Sequence, residues 1–234
     1  MTQISCSALL FDMDGILVDS TPAVARVWTR WAIKHNMDPD YAVEHAHGRP
    51  SLTSISELLP HADPSVHLAE NRWMERAEIE DIDGVVALPG AKELLTSLSP
   101  SQFAVVTSAT RRLTEVRLRA AGLWDHVRHL ITAGDIMNGK PDPEPYLKGA
   151  AALHLPPQDC LVIEDAPSGV RAGKAAGSRV LGLRTTTADE IMLTAGADWV
   201  VNDLSSVHLL PASKPGQLSL DISTGEPPRL PKMR

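Results

Sequence analysis

Short, nearly continuous apolar runs alternate with helix-like segments along most of this chain, and that alternation restricts the fold more than any other feature. Residues 8–13, 103–107, 160–163 and 179–183 are too short and too uniformly apolar for amphipathic helices, so they read as strands buried on both faces. Residues 129–133 and 199–201 are weaker strand candidates. Between them, residues 111–121, 143–153 and 168–176 carry Leu, Val and Ala at helical spacing. Strand and helix in alternation predict an α/β fold with a parallel sheet covered on both sides.

The alternation breaks once, after the first strand. From about residue 20 to 87 the periodicity is helical, with Val24, Val27, Trp28 and Trp31 on one stripe of residues 23–34 and a further helix expected over 66–79. Three tryptophans, Trp28, Trp31 and Trp73, fall in this insert and are expected to pack a small core of its own. Leu88-Pro89-Gly90-Ala91 reads as the hinge returning the chain to the sheet. The expected organisation is a core of residues 1–18 and 88–210, a helical insert of residues 19–87, and a Pro-rich tail of residues 211–234 with one strand at 218–222. Asp19 and Ser20 are expected to open the first insert helix, with Ser20 as its N-cap.

A chain of 234 residues with 43% apolar content can bury a full core without covalent staples. Its net charge of -7 argues against a nucleic-acid partner, which normally meets a basic patch. Cys6 and Cys160 lie within apolar runs and read as buried thiols. No run approaches a membrane span, and the N-terminus has no signal-peptide pattern, so a cytoplasmic protein, monomeric by default, is expected.

The chemistry sits where the strands end. The first strand runs into Asp12-Met13-Asp14-Gly15, two carboxylates whose i, i+2 spacing projects them the same way. Carboxylates there repel, share a cation or simply face solvent. The second ends in Thr107-Ser108-Ala109 ahead of a helix, where hydroxyl and N–H groups suit a phosphate but serve equally as ordinary caps. Lys140 stands between Gly139 and Pro141, a rigid setting for a cation or a solvated lysine. The fourth strand ends in Glu164-Asp165, and an oxygen-rich site of this kind suits Mg²⁺.

With these four segments in this order, over residues 11–170, the chain resembles the haloacid dehalogenase superfamily of phosphohydrolases. The resemblance implies a Rossmann-like doubly wound parallel sheet, with the insert forming a small α-helical cap. Lys140-Pro141-Asp142-Pro143-Glu144-Pro145-Tyr146-Leu147, Glu164-Asp165-Ala166-Pro167-Ser168-Gly169, Ala172-Gly173-Lys174-Ala175-Ala176-Gly177 and His47-Gly48-Arg49-Pro50 are similar to its sugar and polyol phosphatases. It further implies that Asp12 attacks phosphorus, that Asp14 acts as acid and base, and that Ser108, Lys140 and the Ala109 N–H, with Thr107, hold the phosphoryl oxygens. Mg²⁺ would be held by Asp12, the Asp14 carbonyl and Asp165, with Glu164 as a further or outer ligand. Arg49 is the expected cap contact to the substrate, a small phosphorylated sugar or polyol; His47 is a weaker candidate. A sugar phosphomutase of the β-phosphoglucomutase type is the nearest alternative, disfavoured by the scarcity of cations in the insert.

Overall fold

The computed structural model describes residues 2–46, 49–212, 214 and 216–223. The chain opens with β1 (Thr2–Cys6) and β2 (Ala8–Phe11), then leaves the core through β3 (Val18–Asp19). Four helices follow, α1 (Thr21–Lys34), α2 (Pro39–Ala46), α3 (Ser51–Leu58) and α4 (Pro64–Glu80), before β4 (Val86–Ala87) returns the chain. Helix α5 (Ala91–Ser97) leads into β5 (Phe103–Val106), α6 (Arg111–Ala120) and β6 (Leu130–Ile131). The remainder is α7 (Glu144–Ala152), β7 (Cys160–Glu164), α8 (Pro167–Ala175), β8 (Arg179–Leu183), α9 (Asp189–Ala195), β9 (Trp199–Val201), β10 (Val207–Leu210) and β11 (Leu218–Ile222).

Six strands form the central sheet in the order β6-β5-β2-β7-β8-β9, all parallel. The chain winds from β2 to β5 and β6 on one side, then to β7, β8 and β9 on the other, which makes β2 the switch point of a doubly wound sheet. Every residue of β2, β5 and β7 is buried, as continuous apolar runs require when helices cover both faces. One layer centres on Leu9, Phe11, Val105 and Ile163, the other on Leu10, Val106, Val162 and Tyr146.

The insert is a cap with its own core of Val27, Trp28, Trp31, Ile55, Leu58 and Met74. Trp28 and Trp31 meet edge to face at 5.3 Å, and the Trp31 indole N–H donates to Glu70 at 3.1 Å. Trp73 is partly buried against the same cluster, so all three tryptophans pack as expected. The cap holds four helices where periodicity predicts two, because α2 and α3 are only eight residues each and show barely two turns of pattern. Two short strands also escape the sequence pattern: β3 and β4 pair antiparallel, Val18 opposite Ala87, where the chain leaves and re-enters the core. Strand β11 stands where the tail pattern places it and pairs antiparallel with both β1 and β10.

Candidate active site

Because β2, β5, β7 and β8 are parallel, their carboxyl ends share one edge of the sheet, and the cap faces that edge. Between the two lies a cleft of ≈ 400 Å³. Asp12, Asp14, Thr107, Ser108, Ala109, Lys140, Glu164 and Asp165 from the core, and Arg49 from the cap, all line it, as the sequence leads one to expect.

Lys140 is the best-connected cation among the described residues lining the cleft. Its ammonium donates to Asp12 Oδ1 at 2.7 Å, Glu164 Oε1 at 2.6 Å and the Val106 carbonyl at 3.2 Å, while lying 5.0 Å from the centre of the Tyr146 ring. Burial alone would discharge this lysine, but the Asp12 and Glu164 carboxylates more than compensate and hold its pKa above the usual lysine range. Tyr146 donates to Glu164 Oε1 at 2.5 Å, and the N–H groups of Asp165 and Ala166 donate to Oε2 at 3.1 and 3.3 Å. Each Glu164 oxygen therefore carries two donors, which suits an anchor for Lys140 better than a direct metal ligand. Gly169 makes room for it, since a Cβ there would stand 1.7 Å from Glu164 Oε1.

Carboxylate oxygens of Asp12, Glu164 and Asp165 lie within 4.8 Å of one another. Burial pushes Asp12 up to about 7, against the pull of Lys140 and with the push of Glu164. Asp165 is likewise raised, by burial and then by the Glu164 and Asp12 charges. Three carboxylates, two buried and one partly buried, facing one ammonium leave, when all are ionised, an excess of about two negative charges, and an all-oxygen donor set with that excess fits a divalent cation such as Mg²⁺. Gly15, at φ +76°, lets the backbone pass close to Asp165; a Cβ there would sit 2.0 Å from Asp165 Oδ2. The Thr186 hydroxyl donates to the same oxygen at 2.5 Å, and Thr185 donates to the Gly15 carbonyl at 2.5 Å.

Asp14 takes its partners from elsewhere. Ser20 donates to its Oδ1 at 2.7 Å and Arg117 to its Oδ2 at 2.9 Å. Ser20 is the N-cap residue of α1, as expected, but its hydroxyl is turned to Asp14 and makes no cap bond; Asp19 Oδ1 accepts from the Thr21 N–H instead. Arg117, 5% exposed, reaches from α6 to Glu78 of cap helix α4 at 2.8 Å, joining core to cap. The Ala109 N–H, expected to meet phosphate, donates to Thr107 Oγ1 at 3.1 Å, whereas Ser108 is exposed to the cleft. Arg49 lines the cleft with its guanidinium bonded to Glu57 at 2.6 Å and His45 at 3.1 Å. His47 and Gly48 lie outside the described residues.

Arg117, Ser20, Tyr146 and Thr186 escape the sequence reading. Thr186 follows β8, so the strand-end rule would find it if hydroxyls were weighed alongside charges.

A family model described as haloacid dehalogenase-like hydrolase matches residues 6–177. Hexitol phosphatase A of Escherichia coli is 40% identical over 178 residues, spanning 75% of this chain and 82% of the relative. Glycerol-1-phosphate phosphohydrolase 2 of Saccharomyces cerevisiae is 32% identical over 221 residues, spanning 88% and 86%. Among solved structures, a hydrolase from Pseudomonas syringae superposes with a TM-score of 0.72 at 26% identity, covering 85% of this chain and 94% of the other.

Proposed function

The chain belongs to the haloacid dehalogenase-like hydrolase family, and we propose that it is a Mg²⁺-dependent phosphatase of a small sugar or polyol phosphate. The observation that carries this reading is the Lys140 ammonium fixed 2.7 Å from Asp12 inside an acidic, oxygen-lined cleft at the strand ends. Relatives named for hexitol and glycerol phosphates support the substrate class.

In the proposed reaction an Asp12 oxygen attacks phosphorus and the bond to the sugar oxygen breaks, leaving an aspartyl-phosphate. Asp14 gives its proton to the departing oxygen, then takes one from the water that attacks phosphorus and releases phosphate from Asp12. With both Asp14 oxygens bonded to Ser20 and Arg117, that role requires the carboxyl group to swing from at least one of them. Lys140 holds a phosphoryl oxygen by charge, and Ser108 adds a hydroxyl donor from the adjacent strand end. Asp12, the Asp14 carbonyl and Asp165 would hold Mg²⁺, which when bound neutralises charge on the transferring phosphoryl group. Glu164 positions Lys140.

A mutase would need a second phosphate-binding site in the cap. Among the described cap residues lining the cleft, the one guanidinium is Arg49, already paired with Glu57, and this favours hydrolysis. No helix among the described residues is long and apolar enough to cross a membrane. The reading extends to a cytoplasmic monomer acting on a small molecule, and the free, buried Cys6 and Cys160 support its cytoplasmic part.

Phosphate release from a panel of hexitol, hexose, deoxyhexose and glycerol phosphates, with and without Mg²⁺, tests the proposal directly. Turnover of at least one with Mg²⁺ and its loss with EDTA are expected. Asp12→Asn is expected to remove activity by about a thousandfold or more while the protein stays folded by circular dichroism. Silence across the panel, or near-normal activity of folded Asp12→Asn, sinks the reading.

A further inference from the structure

The wall opposite the phosphate-binding edge has a chemistry that the reaction above does not use. Cap helix α4 turns Met74 into the cap core, with Ala77 beside it, and turns Asn71, Glu75 and Glu78 toward the cleft at i, i+4 and i+7 spacing. Ser51 of α3 stands beside this stripe, donating to Asn71 at 2.6 Å. Glu75 Oε1 accepts from Thr110 at 2.7 Å, and Glu78 Oε2 from Arg117 at 2.8 Å. Among the described residues no guanidinium bonds Glu75, so its carboxylate meets the cleft beside a neutral hydroxyl. Trp28 completes the wall with an apolar face.

Resting on the phosphatase reading, we propose that Glu75, with Asn71, determines specificity by selecting a neutral, hydroxyl-bearing substrate body and rejecting a second anionic group. A carboxylate accepts hydroxyl hydrogens in charge-assisted bonds, and the Asn71 amide can donate to or accept from a neighbouring hydroxyl. Replacing one of those hydroxyls by a carboxylate or phosphate sets like charges together in the cleft. Such repulsion adds discrimination against the acid to the attraction offered to the hydroxyl. The stripe therefore excludes acid-bearing phosphates and bisphosphates, leaving monophosphates whose remaining polar groups are hydroxyls.

Glycerol phosphate and 3-phosphoglycerate differ by a hydroxymethyl group exchanged for a carboxylate, which makes them the probes. The readout is the ratio of their kcat/KM values in Mg²⁺, with p-nitrophenyl phosphate as a third substrate lacking both groups. Wild type is expected to favour glycerol phosphate by about tenfold or more. Glu75→Gln, which keeps the shape and removes the charge, is expected to narrow the ratio by about fivefold, mainly through KM for 3-phosphoglycerate. Asn71→Asp adds a charge one turn away and is expected to widen it. A wild-type ratio near one, or ratios that neither variant moves while all three proteins hydrolyse p-nitrophenyl phosphate, overturns this inference alone. Inactivity of wild type on all three phosphates overturns this inference, and the phosphatase reading falls with it only if the hexitol, hexose and deoxyhexose phosphates are not hydrolysed either.

Discussion

Asp12 occupies an unfavourable place for a carboxylate, and that disadvantage defines how it should respond to metal and pH. Its side chain is 14% exposed and shares the cleft with Glu164 and Asp165. Burial raises its pKa to about 7, so below that pH the metal-free site keeps a proton there. A cation held by Asp12 must expel this proton, so apparent Mg²⁺ affinity should climb as pH rises through about 7, and the raised Asp165 carboxyl acts with the same sign. The same sign governs stability. A carboxyl group whose folded pKa is raised favours unfolding as pH rises from its ordinary value of 3.8 to about 7, so Asp12 by itself costs the metal-free protein stability over that window. Calorimetric titration in two buffers of different ionisation enthalpy would show proton release on Mg²⁺ binding at the acid end of the range. An affinity that stays flat across it would contradict the assignment. The Lys140 pKa is raised as well, but for a base this keeps the group charged throughout the range in which Asp12 titrates.

Elements rather than single residues set the distances in the site. Helix α8 approaches β7 closely enough that Gly169 leaves no space for a side chain against Glu164. Gly169→Ala should displace the Glu164 carboxylate, release Lys140 from one of its two carboxylate partners and lower kcat by about a hundredfold or more, a loss read from steady-state kinetics on the folded variant. Helices α6 and α4 are joined by Arg117, whose guanidinium bonds Asp14 and Glu78 and is 5% exposed. Glu78 is raised by burial, with Arg117 opposing the shift. Arg117→Ala leaves two carboxylates short of their partner and should destabilise the protein by about 3–5 kcal/mol in denaturant titration, with activity falling alongside. A variant as stable as wild type would show that this bridge contributes little. These two elements also show why the site is unevenly legible in the sequence. Asp12, Asp14, Glu164 and Asp165 announce themselves because charge directly after an apolar run is costly and local, and Lys140 by its rigid setting between Gly139 and Pro141. Arg117 lies mid-helix in a run of other arginines, and Glu78 is 39 positions away, so nothing short of the folded cap reveals their bond. The pairing of Arg49 with Glu57 and His45 is hidden for another reason: it depends on α2 and α3, helices too short to carry a readable period.

At the scale of the whole molecule, the sheet's parallel order turns separated segments into one site, and that order is legible because each buried strand is a distinct apolar run. The ends of the chain are harder to read, because β1 alternates burial over five residues and has no apolar run to mark it. Strand β1 pairs with β11 from Thr2 opposite Ile222 to Cys6 opposite Leu218, and β10 pairs with the other edge of β11. The residues after 206 therefore complete the structure that the N-terminus begins. Leu218, Leu220 and Ile222 join Ile4, Cys6 and Val207 in the same core layer as Leu9 and Phe11, immediately before the nucleophile candidate. Ending the chain at Ser206 would expose Ile4 and Cys6 and remove four buried aliphatic side chains, each worth roughly 1.5–3 kcal/mol. That total rivals the net stability of a typical domain, roughly 5–15 kcal/mol. The truncated chain should therefore lose its cooperative melt or fail to accumulate in soluble form, although every residue proposed for catalysis is retained. Thermal denaturation of chains ending at Ser206 and at Ser223 separates the two possibilities. If the shorter chain melts within a few degrees of the longer one, the β1–β11–β10 sheet is an appendage; a large loss makes it part of the support beneath β2 and so beneath Asp12.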